Sequence, residues 1–276
     1  RRSATLPMDK VTLVLDMTRF NTLLFDMDGV LYRGPVPLPG VNDLLALCAR
    51  RGMCYACITN NSTMTPAQYE AKLAGMGIQI PAAQIVTSSV ATRRVIEREF
   101  PRGTRAFYIG MRGLHEALFG DGYFVYDEQQ PQVVVSGLDT ELSYQKLKRA
   151  TLAIRAGARY IATNPDRTLP IDEGLVPGAG SIIALLQAAT DVTPMVIGKP
   201  GPVMFHTAID MLQATPERTL AIGDRLDTDI AGAAGAGLAS ALVLTGVSTQ
   251  AEVDAGTIKP NAVFAGLPEL TAALAG

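Results

Sequence analysis

The stretch TLLFDMDGVLY, residues 22–32, decides the fold because an apolar strand runs directly into two aspartates. Residues i and i+2 of a strand point to the same face, so Asp26 and Asp28 project together if the strand continues through them. Two carboxylates held close together repel each other unless they share a proton or a cation compensates them. The pair therefore indicates either a proton-sharing dyad or a divalent metal site.

The segments that follow alternate between helical and extended patterns. VNDLLALCARR has helical periodicity and ends before Gly52, and MCYACITNN is an apolar strand that ends in polar residues. Thr65, Pro66 and Gln68 form a capping box at the start of the next helix, and QIVTSS is a further short strand. Strands and helices that alternate at this spacing predict parallel βαβ units.

A second block with the same alternation contains MVIGKPG, RTLAIGD, SALVLTG and NAVFAG. Its strands are continuous apolar runs, which are typical of a sheet covered on both faces. We predict an α/β fold with a doubly wound, Rossmann-like parallel-sheet core formed by residues 1–99 and 194–276. Residues 100–193 are too many for a loop and are predicted to form an inserted α/β domain.

Composition limits the classes of function. The 276 residues are 48% apolar, carry a formal net charge of -2 and contain no apolar run of membrane-spanning length. Lys and Arg are scattered, so neither nucleic acid nor a membrane is predicted as a partner. Three cysteines and the lack of a signal-peptide pattern in the first ten residues predict a cytoplasmic protein. The two histidines lie far apart, which argues against a catalytic triad or a histidine-rich zinc site.

A second acidic motif decides between a dyad and a metal. AIGDRLDTDI, residues 221–230, ends another apolar strand with Asp224 and continues with Asp227 and Asp229. Ligands of open parallel sheets bind beyond the carboxyl ends of the strands, where these carboxylates and the first pair would meet. Only a hard cation makes such a concentration tolerable, and Mg²⁺ prefers oxygen ligands. The sequence therefore predicts a magnesium site.

Two further strand ends offer groups that bind phosphate. ITNNS places the Thr59 hydroxyl and the following backbone N–H groups at the end of one strand, with Asn60 beside them as a further predicted substrate contact. GKP places Lys199 after the strand that follows the inserted block, and its ammonium is a point charge for phosphoryl oxygens. The predicted ligand is a small phosphorylated metabolite.

The motifs DMDGV, ITNNS, GKP and GDRLDTD occur in this order, and the similarity covers nearly all of residues 20–270. In these motifs the chain resembles the haloacid dehalogenase (HAD) superfamily of phosphohydrolases, within it the nitrophenylphosphatase-like class with a C2-type cap. The resemblance implies that Asp26 is the nucleophile that forms an aspartyl-phosphate, and that Asp28 is the general acid and base. It also implies that Thr59 and Lys199 bind the phosphoryl group.

The resemblance further implies a metal site and a cap. Asp224 would ligate Mg²⁺ together with the Asp26 carboxylate and the Asp28 carbonyl, and Asp229 would support the site from outside the ligand shell. Only about a dozen residues separate the first motif from the next helix, which leaves no room for a domain there. The insertion at 100–193 would therefore be the C2-type cap.

Within the predicted cap, residues 162–182 contain the segments TNPD and PGAGS. By resemblance this loop faces the active site, so Asn164, Asp166 and Gly180 are predicted to contact the substrate. Relatives of this class also associate through the cap, which predicts a homodimer.

The resemblance implies a Mg²⁺-dependent phosphomonoesterase for a sugar, glycerol or glycolate phosphate, with p-nitrophenyl phosphate as a substrate in vitro. Two alternatives stay open. One is a non-catalytic module that binds a phosphometabolite, although such a module has no need of the proton donor Asp28. The other is a phosphotransferase that uses an acceptor other than water.

The upstream stretch TLVLDMTRF, residues 12–20, resembles the first motif but has one aspartate, Asp16, and no following glycine. We expect it to lie in an N-terminal extension before the first core strand, without a part in the chemistry.

Overall fold

The structure is a computed structural model that describes residues 15–276. The beginning of TLVLDMTRF lies outside these residues. Asp16 lies within them and caps a 3-10 helix, Met17–Arg19, by accepting a hydrogen bond from the Thr18 backbone N–H. This short helix precedes the first core strand.

The chain forms its elements in the predicted alternation. The first part contains β1 (Thr22–Phe25), β2 (Tyr32–Arg33), β3 (Val36–Pro37), α1 (Val41–Arg51), β4 (Cys54–Thr59), α2 (Pro66–Gly75), β5 (Ile85–Thr87) and α3 (Ser88–Glu99). The middle part contains β6 (Arg105–Ile109), α4 (Arg112–Phe119), β7 (Val125–Tyr126), β8 (Val133–Ser136), α5 (Tyr144–Arg155), β9 (Arg159–Ala162), β10 (Thr168–Ile171), β11 (Gly174–Pro177), α6 (Ala179–Thr190) and β12 (Met195–Val196). The last part contains α7 (Val203–Leu212), β13 (Thr219–Gly223), α8 (Ala231–Gly235), β14 (Ala239–Val243), α9 (Gln250–Ala255), β15 (Ala262–Phe264) and α10 (Leu267–Ala275).

Local sequence signals fix several helix ends. The Thr65 hydroxyl accepts from the Gln68 backbone N–H, and the Gln68 side chain accepts from the Thr65 backbone N–H, so the predicted capping box is present at α2. Helix α1 ends at Gly52, whose φ of 61° is left-handed and therefore suits a residue without Cβ.

The core is a parallel sheet of six strands in the order β15-β14-β13-β1-β4-β5. The chain builds outward from β1 through β4 to β5, and it returns to β13 on the other side of β1. The order therefore reverses between β1 and β13, and this is the position where open α/β sheets bind ligands. All four residues of β1 are buried, as expected of a strand covered on both faces.

The middle part forms a second parallel sheet of five strands in the order β12-β9-β8-β6-β7. The stretch MVIGKPG was predicted to belong to the second core block. Its strand does not, because Met195 and Val196 pair with Ile161 and Ala162 of β9 in the second sheet. The predicted boundary at 193/194 thus precedes the last strand of the second sheet. The boundary at 99/100 stays a prediction.

Apolar clusters cover both faces of the core sheet. One cluster packs α1, α2 and α10 against one face, with buried Leu44, Leu73 and Leu270. The other joins the two sheets, because Leu24 and Ile58 of the core belong to the same cluster as Ile161 of β9. Burial of each such side chain stabilises the fold by about 1.5–3 kcal/mol. The doubly wound core with an inserted α/β domain is confirmed, and we call that domain the cap.

No helix within residues 15–276 has the length and apolar character that a membrane span requires.

Candidate active site

The carboxyl ends of β1 and β13 bring the predicted acidic residues together. Asp26 follows β1, and its backbone N–H donates to Ile222 O of β13 at 2.8 Å. Asp224 follows β13 directly. One carboxylate oxygen from each of Asp26, Asp224 and Asp229 lies within 4.8 Å of the others. Asp26 and Asp224 therefore lie at strand ends as predicted, whereas Asp229 reaches the cluster from the π-helix Leu226–Ile230 after β13.

Lys199 reaches into this acidic cluster although it arrives from the cap sheet. Its Nζ lies 2.5 Å from Asp26 Oδ1 and 2.6 Å from Asp229 Oδ1. The residue is 3% exposed, so both ion pairs lie in a region of low dielectric. The ammonium thus holds the Asp26 and Asp229 carboxylates side by side.

Burial and like charges raise the pKa values of Asp26 and Asp224. Burial raises the pKa of Asp26 to about 7 against the attraction of Lys199, and repulsion by Asp229 and Asp224 contributes to the increase. Burial and repulsion by Asp229 raise the pKa of Asp224 to about 6. Burial lowers the pKa of Lys199, but attraction to Asp229 and Asp26 outweighs this effect and raises it above its usual value. Without a further cation, the three aspartates compete for one lysine.

The Asp229 carboxylate accepts its hydrogen bonds from protein groups, two of them nearby backbone N–H groups. The π-helix Leu226–Ile230 turns its side chain back toward the end of β13. There Asp229 Oδ2 accepts from the backbone N–H groups of Asp224 at 3.2 Å and Arg225 at 3.1 Å, while Oδ1 accepts from Lys199. Both oxygens of Asp229 are therefore occupied, which suits a residue that supports the site.

Asp224 has one oxygen that the protein holds and one that it leaves free. Oδ2 accepts from the Val247 backbone N–H at 2.8 Å. Oδ1 is buried, and no hydrogen bond reaches it from residues 15–276. Gly246 and Gly29 lie against this carboxylate, since a Cβ built on them would lie 1.9 Å and 2.5 Å from Asp224 Oδ2. A buried anionic oxygen without a partner costs free energy, and a bound cation would offset that cost.

Asp28, the predicted general acid, and Thr59, which is predicted to bind phosphate, line the same cavity. The cavity has a volume of about 600 Å³ and is lined by Asp26, Asp28, Thr59 and Lys199 among others. The Asp28 side chain is exposed, because β1 ends at Phe25 and the chain turns before reaching it. Thr59, the last residue of β4, accepts a hydrogen bond from the Asn61 backbone N–H at 3.2 Å.

The predicted substrate residues of the cap loop lie beside Asn60. Asn164 Nδ2 donates to Asn60 O at 2.8 Å, and Asn60 Nδ2 donates to Asp166 Oδ1 at 3.1 Å. Both cap residues line the cavity, whereas Gly180 is not among its lining residues in the described part of the chain. The Gly180 N–H instead donates to Asp166 O at 2.8 Å, so this glycine joins the first turn of α6 to the segment before β10.

Sequence reasoning missed part of the cavity wall. Tyr32, Tyr69 and Lys72 form one side, and Lys72 Nζ lies 4.2 Å from the centroid of the Tyr32 ring. Gly246 and Val247 follow β14 and contact Asp224. A strand-end signal, LTGV after an apolar run, could have identified this last pair. Tyr32, Tyr69 and Lys72 carry no such signal, because their approach depends on how α2 packs.

Similarity to known proteins places this chain in one family. Residues 23–123 match the family described as haloacid dehalogenase-like hydrolase, and residues 196–270 match HAD-hydrolase-like proteins. An acid sugar phosphatase of Staphylococcus aureus is 35% identical over 258 residues, which cover 94% of this chain and 99% of that protein.

Solved structures of phosphatases are similar to this chain over most of its length. The 4-nitrophenylphosphatase of Thermotoga maritima has a TM-score of 0.88 and 36% identity, covering 94% of this chain and 98% of that one. A glycerol phosphate phosphatase of Mycobacterium tuberculosis, solved in complex with magnesium, has a TM-score of 0.84 and 32% identity, covering 92% of this chain and 77% of that one.

The chain belongs to the haloacid dehalogenase-like hydrolases. Within that family it is a phosphatase of the nitrophenylphosphatase-like group with an inserted cap, as its motifs predicted.

Proposed function

We propose that the protein is a Mg²⁺-dependent phosphomonoesterase that hydrolyses a small phosphorylated metabolite through an aspartyl-phosphate on Asp26. The observation that carries the proposal is the meeting of Asp26, Asp224 and Asp229 around Lys199, with Asp224 Oδ1 buried and unpartnered within the described residues. The acid sugar, nitrophenyl and glycerol phosphate phosphatases among its relatives support this substrate class.

The donor set fits Mg²⁺. Asp224 Oδ1 and the Asp26 carboxylate would supply hard oxygen ligands. The backbone carbonyl of Asp28 would be a third donor. Tyr32 pairs with the backbone on both sides of Asp28, by donating to Met27 O and accepting from the Gly29 N–H, so this pairing leaves Asp28 O free. Bound Mg²⁺ supplies positive charge that keeps the carboxylates ionised and neutralises phosphoryl oxygens.

The side chains divide the reaction between them. The Asp26 carboxylate attacks phosphorus, and the bond from phosphorus to the leaving oxygen breaks as Asp28 donates its proton to that oxygen. Asp28 then takes a proton from water, which attacks the aspartyl-phosphate and releases inorganic phosphate and the Asp26 carboxylate. Lys199 and Thr59 hold phosphoryl oxygens throughout. Asp28 is suited to proton exchange because it is exposed in the cavity, whereas Asp26 is only partly exposed.

The cavity accommodates a substrate larger than phosphate alone. Its volume of about 600 Å³ is that of a typical small-molecule site, and its cap side presents Leu169 and Pro170. A sugar, glycerol or glycolate phosphate, or p-nitrophenyl phosphate in vitro, fits this description. The cytoplasmic location and the homodimer through the cap stay predictions.

Release of phosphate from p-nitrophenyl phosphate tests the function. We expect turnover with millimolar Mg²⁺, loss of at least about 10²-fold in kcat with excess EDTA, and recovery when Mg²⁺ is returned. Activity that EDTA does not change would contradict the metal. Binding of phosphorylated metabolites without turnover would favour the non-catalytic alternative. Formation of a phosphorylated product from added glycerol would favour the phosphotransferase.

Gly246→Ala tests whether Asp224 must keep its present position. The new methyl group would lie 1.9 Å from Asp224 Oδ2 and must displace the carboxylate. We expect the Mg²⁺ concentration for half-maximal activity to rise about tenfold or more. Gly235→Ala is the matched control, because a Cβ at Gly235 meets no atom within 4 Å. Equal Mg²⁺ requirements for the two variants would contradict the role of Asp224.

A further inference from the structure

The Lys199 side chain lies beside core residues, but its backbone directly follows a segment that pairs with the cap sheet. The strand before it, β12, pairs with β9 of the cap sheet. The pairing continues past β12, since Ile197 N–H donates to Ala162 O at 3.0 Å and Gly198 N–H donates to Thr163 O at 2.9 Å. The next residue is Lys199 itself. Its placement beside Asp26 therefore depends on how the cap strand is fixed relative to the core.

Asn60 makes that connection with its side chain. It directly follows Thr59, the last residue of core strand β4. The Lys199 backbone N–H donates to Asn60 Oδ1 at 2.7 Å, and Asn60 Nδ2 donates to Lys199 O at 2.9 Å. The amide thus binds the backbone of Lys199 on both sides, as a neighbouring strand would. The residue before the lysine must be small here, because a Cβ at Gly198 would lie 2.6 Å from Asn60 Oδ1.

The same asparagine also contacts the cap loop. Asn60 Nδ2 lies 3.1 Å and 3.3 Å from the two carboxylate oxygens of Asp166. The Asn60 backbone oxygen accepts from Asn164 Nδ2 at 2.8 Å, and Asn164 Oδ1 accepts from the Asp166 backbone N–H at 3.2 Å. The two N–H groups of an amide are thus matched by Lys199 O and Asp166, and its oxygen is matched by the Lys199 N–H. The side chain is committed to protein partners rather than to substrate.

We propose that Asn60 is a positioning residue that fixes Lys199 against Asp26 and couples this placement to the cap loop through Asp166. The expected effect on kcat rests on the proposed function. The coupling between Asn60 and Asp166 rests only on their contacts. It replaces the prediction that Asn60 and Asp166 bind substrate directly. The cap loop then sets the geometry of the phosphoryl site without touching the phosphoryl group.

An exchange of the two side chains tests the coupling. Asn60→Asp keeps an acceptor for the Lys199 N–H, but it removes the donor to Lys199 O and places a carboxylate against Asp166. Asp166→Asn in the same protein returns a donor to that contact. The set consists of both single variants and the double variant. The matched control is Asn42→Ala, which removes one side-chain hydrogen bond, from Nδ2 to Gly77 O at 3.2 Å, in helix α1.

The kinetic readout is kcat and KM for p-nitrophenyl phosphate at saturating Mg²⁺. We expect Asn60→Asp to lower kcat about 100-fold with KM changed less than about threefold, and the double variant to recover about tenfold of that loss. Asp166→Asn alone should cost about threefold, and the control should match the parent. An Asn60→Asp kcat within threefold of the parent, a loss confined to KM, or a double variant no better than Asn60→Asp would overturn the proposal.

Thermal unfolding separates this proposal from the proposed function. If the parent protein releases no phosphate, the proposed function fails on its own, and the coupling is then decided by melting temperatures of the same four proteins and the parent. A fall in Asn60→Asp that the double variant reverses supports the contact between residues 60 and 166. Additive changes across the set overturn it.

Discussion

Asp26→Asn is expected to abolish phosphate release, with a loss of at least about 10⁴-fold in kcat. The amide keeps the size of the carboxylate but is a far weaker nucleophile and ligates Mg²⁺ poorly. Its neighbour Lys199 keeps an acceptor in Asp229, so the fold should tolerate the change. The measurement is release of inorganic phosphate from p-nitrophenyl phosphate at saturating Mg²⁺.

The chain offers a matched control for this substitution. Asp16 follows the apolar stretch that resembles the first motif, but its carboxylate only caps the 3-10 helix Met17–Arg19. Asp16→Asn should leave kcat within about twofold of the parent, since Asp16 is exposed and caps no more than one turn. An Asp26→Asn protein that keeps more than a hundredth of the parent activity would exclude Asp26 as the nucleophile.

Part of the site and of the fold could be predicted from the sequence. Asp26 and Asp224 were predictable because each ends a continuous apolar run, and the ends of parallel strands meet at one edge of a sheet. Helix α2 was predictable because Thr65, Pro66 and Gln68 carry its start signal within four residues. Each of these inferences depends on contacts between residues that are close in sequence, or on a rule of sheet geometry.

What the sequence did not reveal depends on contacts over long separations. The residues MVI before Gly198 have the pattern of any short buried strand. The neighbouring sequence does not indicate that this strand pairs with β9 of the cap rather than with a core strand. The role of Asn60 was hidden for the same reason, since Lys199 and Asp166 lie more than 100 positions away from it. The pattern identified polar residues near the site and could not separate those that face the substrate from those that face each other.

Lys199→Met is expected to have the second largest effect, a loss of about 10³-fold in kcat. The methionine fills a similar volume, but the phosphoryl group loses its cation and the two carboxylates beside it lose their common partner. The lysine is 3% exposed and lies within 2.6 Å of both Asp26 and Asp229, so water cannot replace it without rearrangement. Loss of one partner from such a buried arrangement costs up to about 3–5 kcal/mol of stability.

The stability loss should depend on pH in the metal-free protein. Burial already raises the pKa of Asp26 from 3.8 to about 7, and removal of Lys199 takes away an attraction that lowers it. A carboxyl whose pKa is higher in the folded protein binds its proton more tightly when folded, so unfolding becomes easier as the pH rises from about 4 through the folded value. We therefore expect the melting temperature of Lys199→Met to fall further below that of the parent at pH 8 than at pH 5.

Lys146→Met separates the loss of activity from the loss of stability. Lys146 Nζ lies 2.8 Å from Asp139 Oδ2, and the Asp139 side chain is 2% exposed, so this variant also deprives a buried aspartate of its cation. Because neither Lys146 nor Asp139 is among the described residues that line the cavity, the melting temperature should fall while kcat stays within about threefold of the parent. If Lys146→Met lost as much kcat as Lys199→Met, the effect at Lys199 would reflect destabilisation. If Lys199→Met alone loses turnover, the ammonium between Asp26 and Asp229 acts on the phosphoryl group.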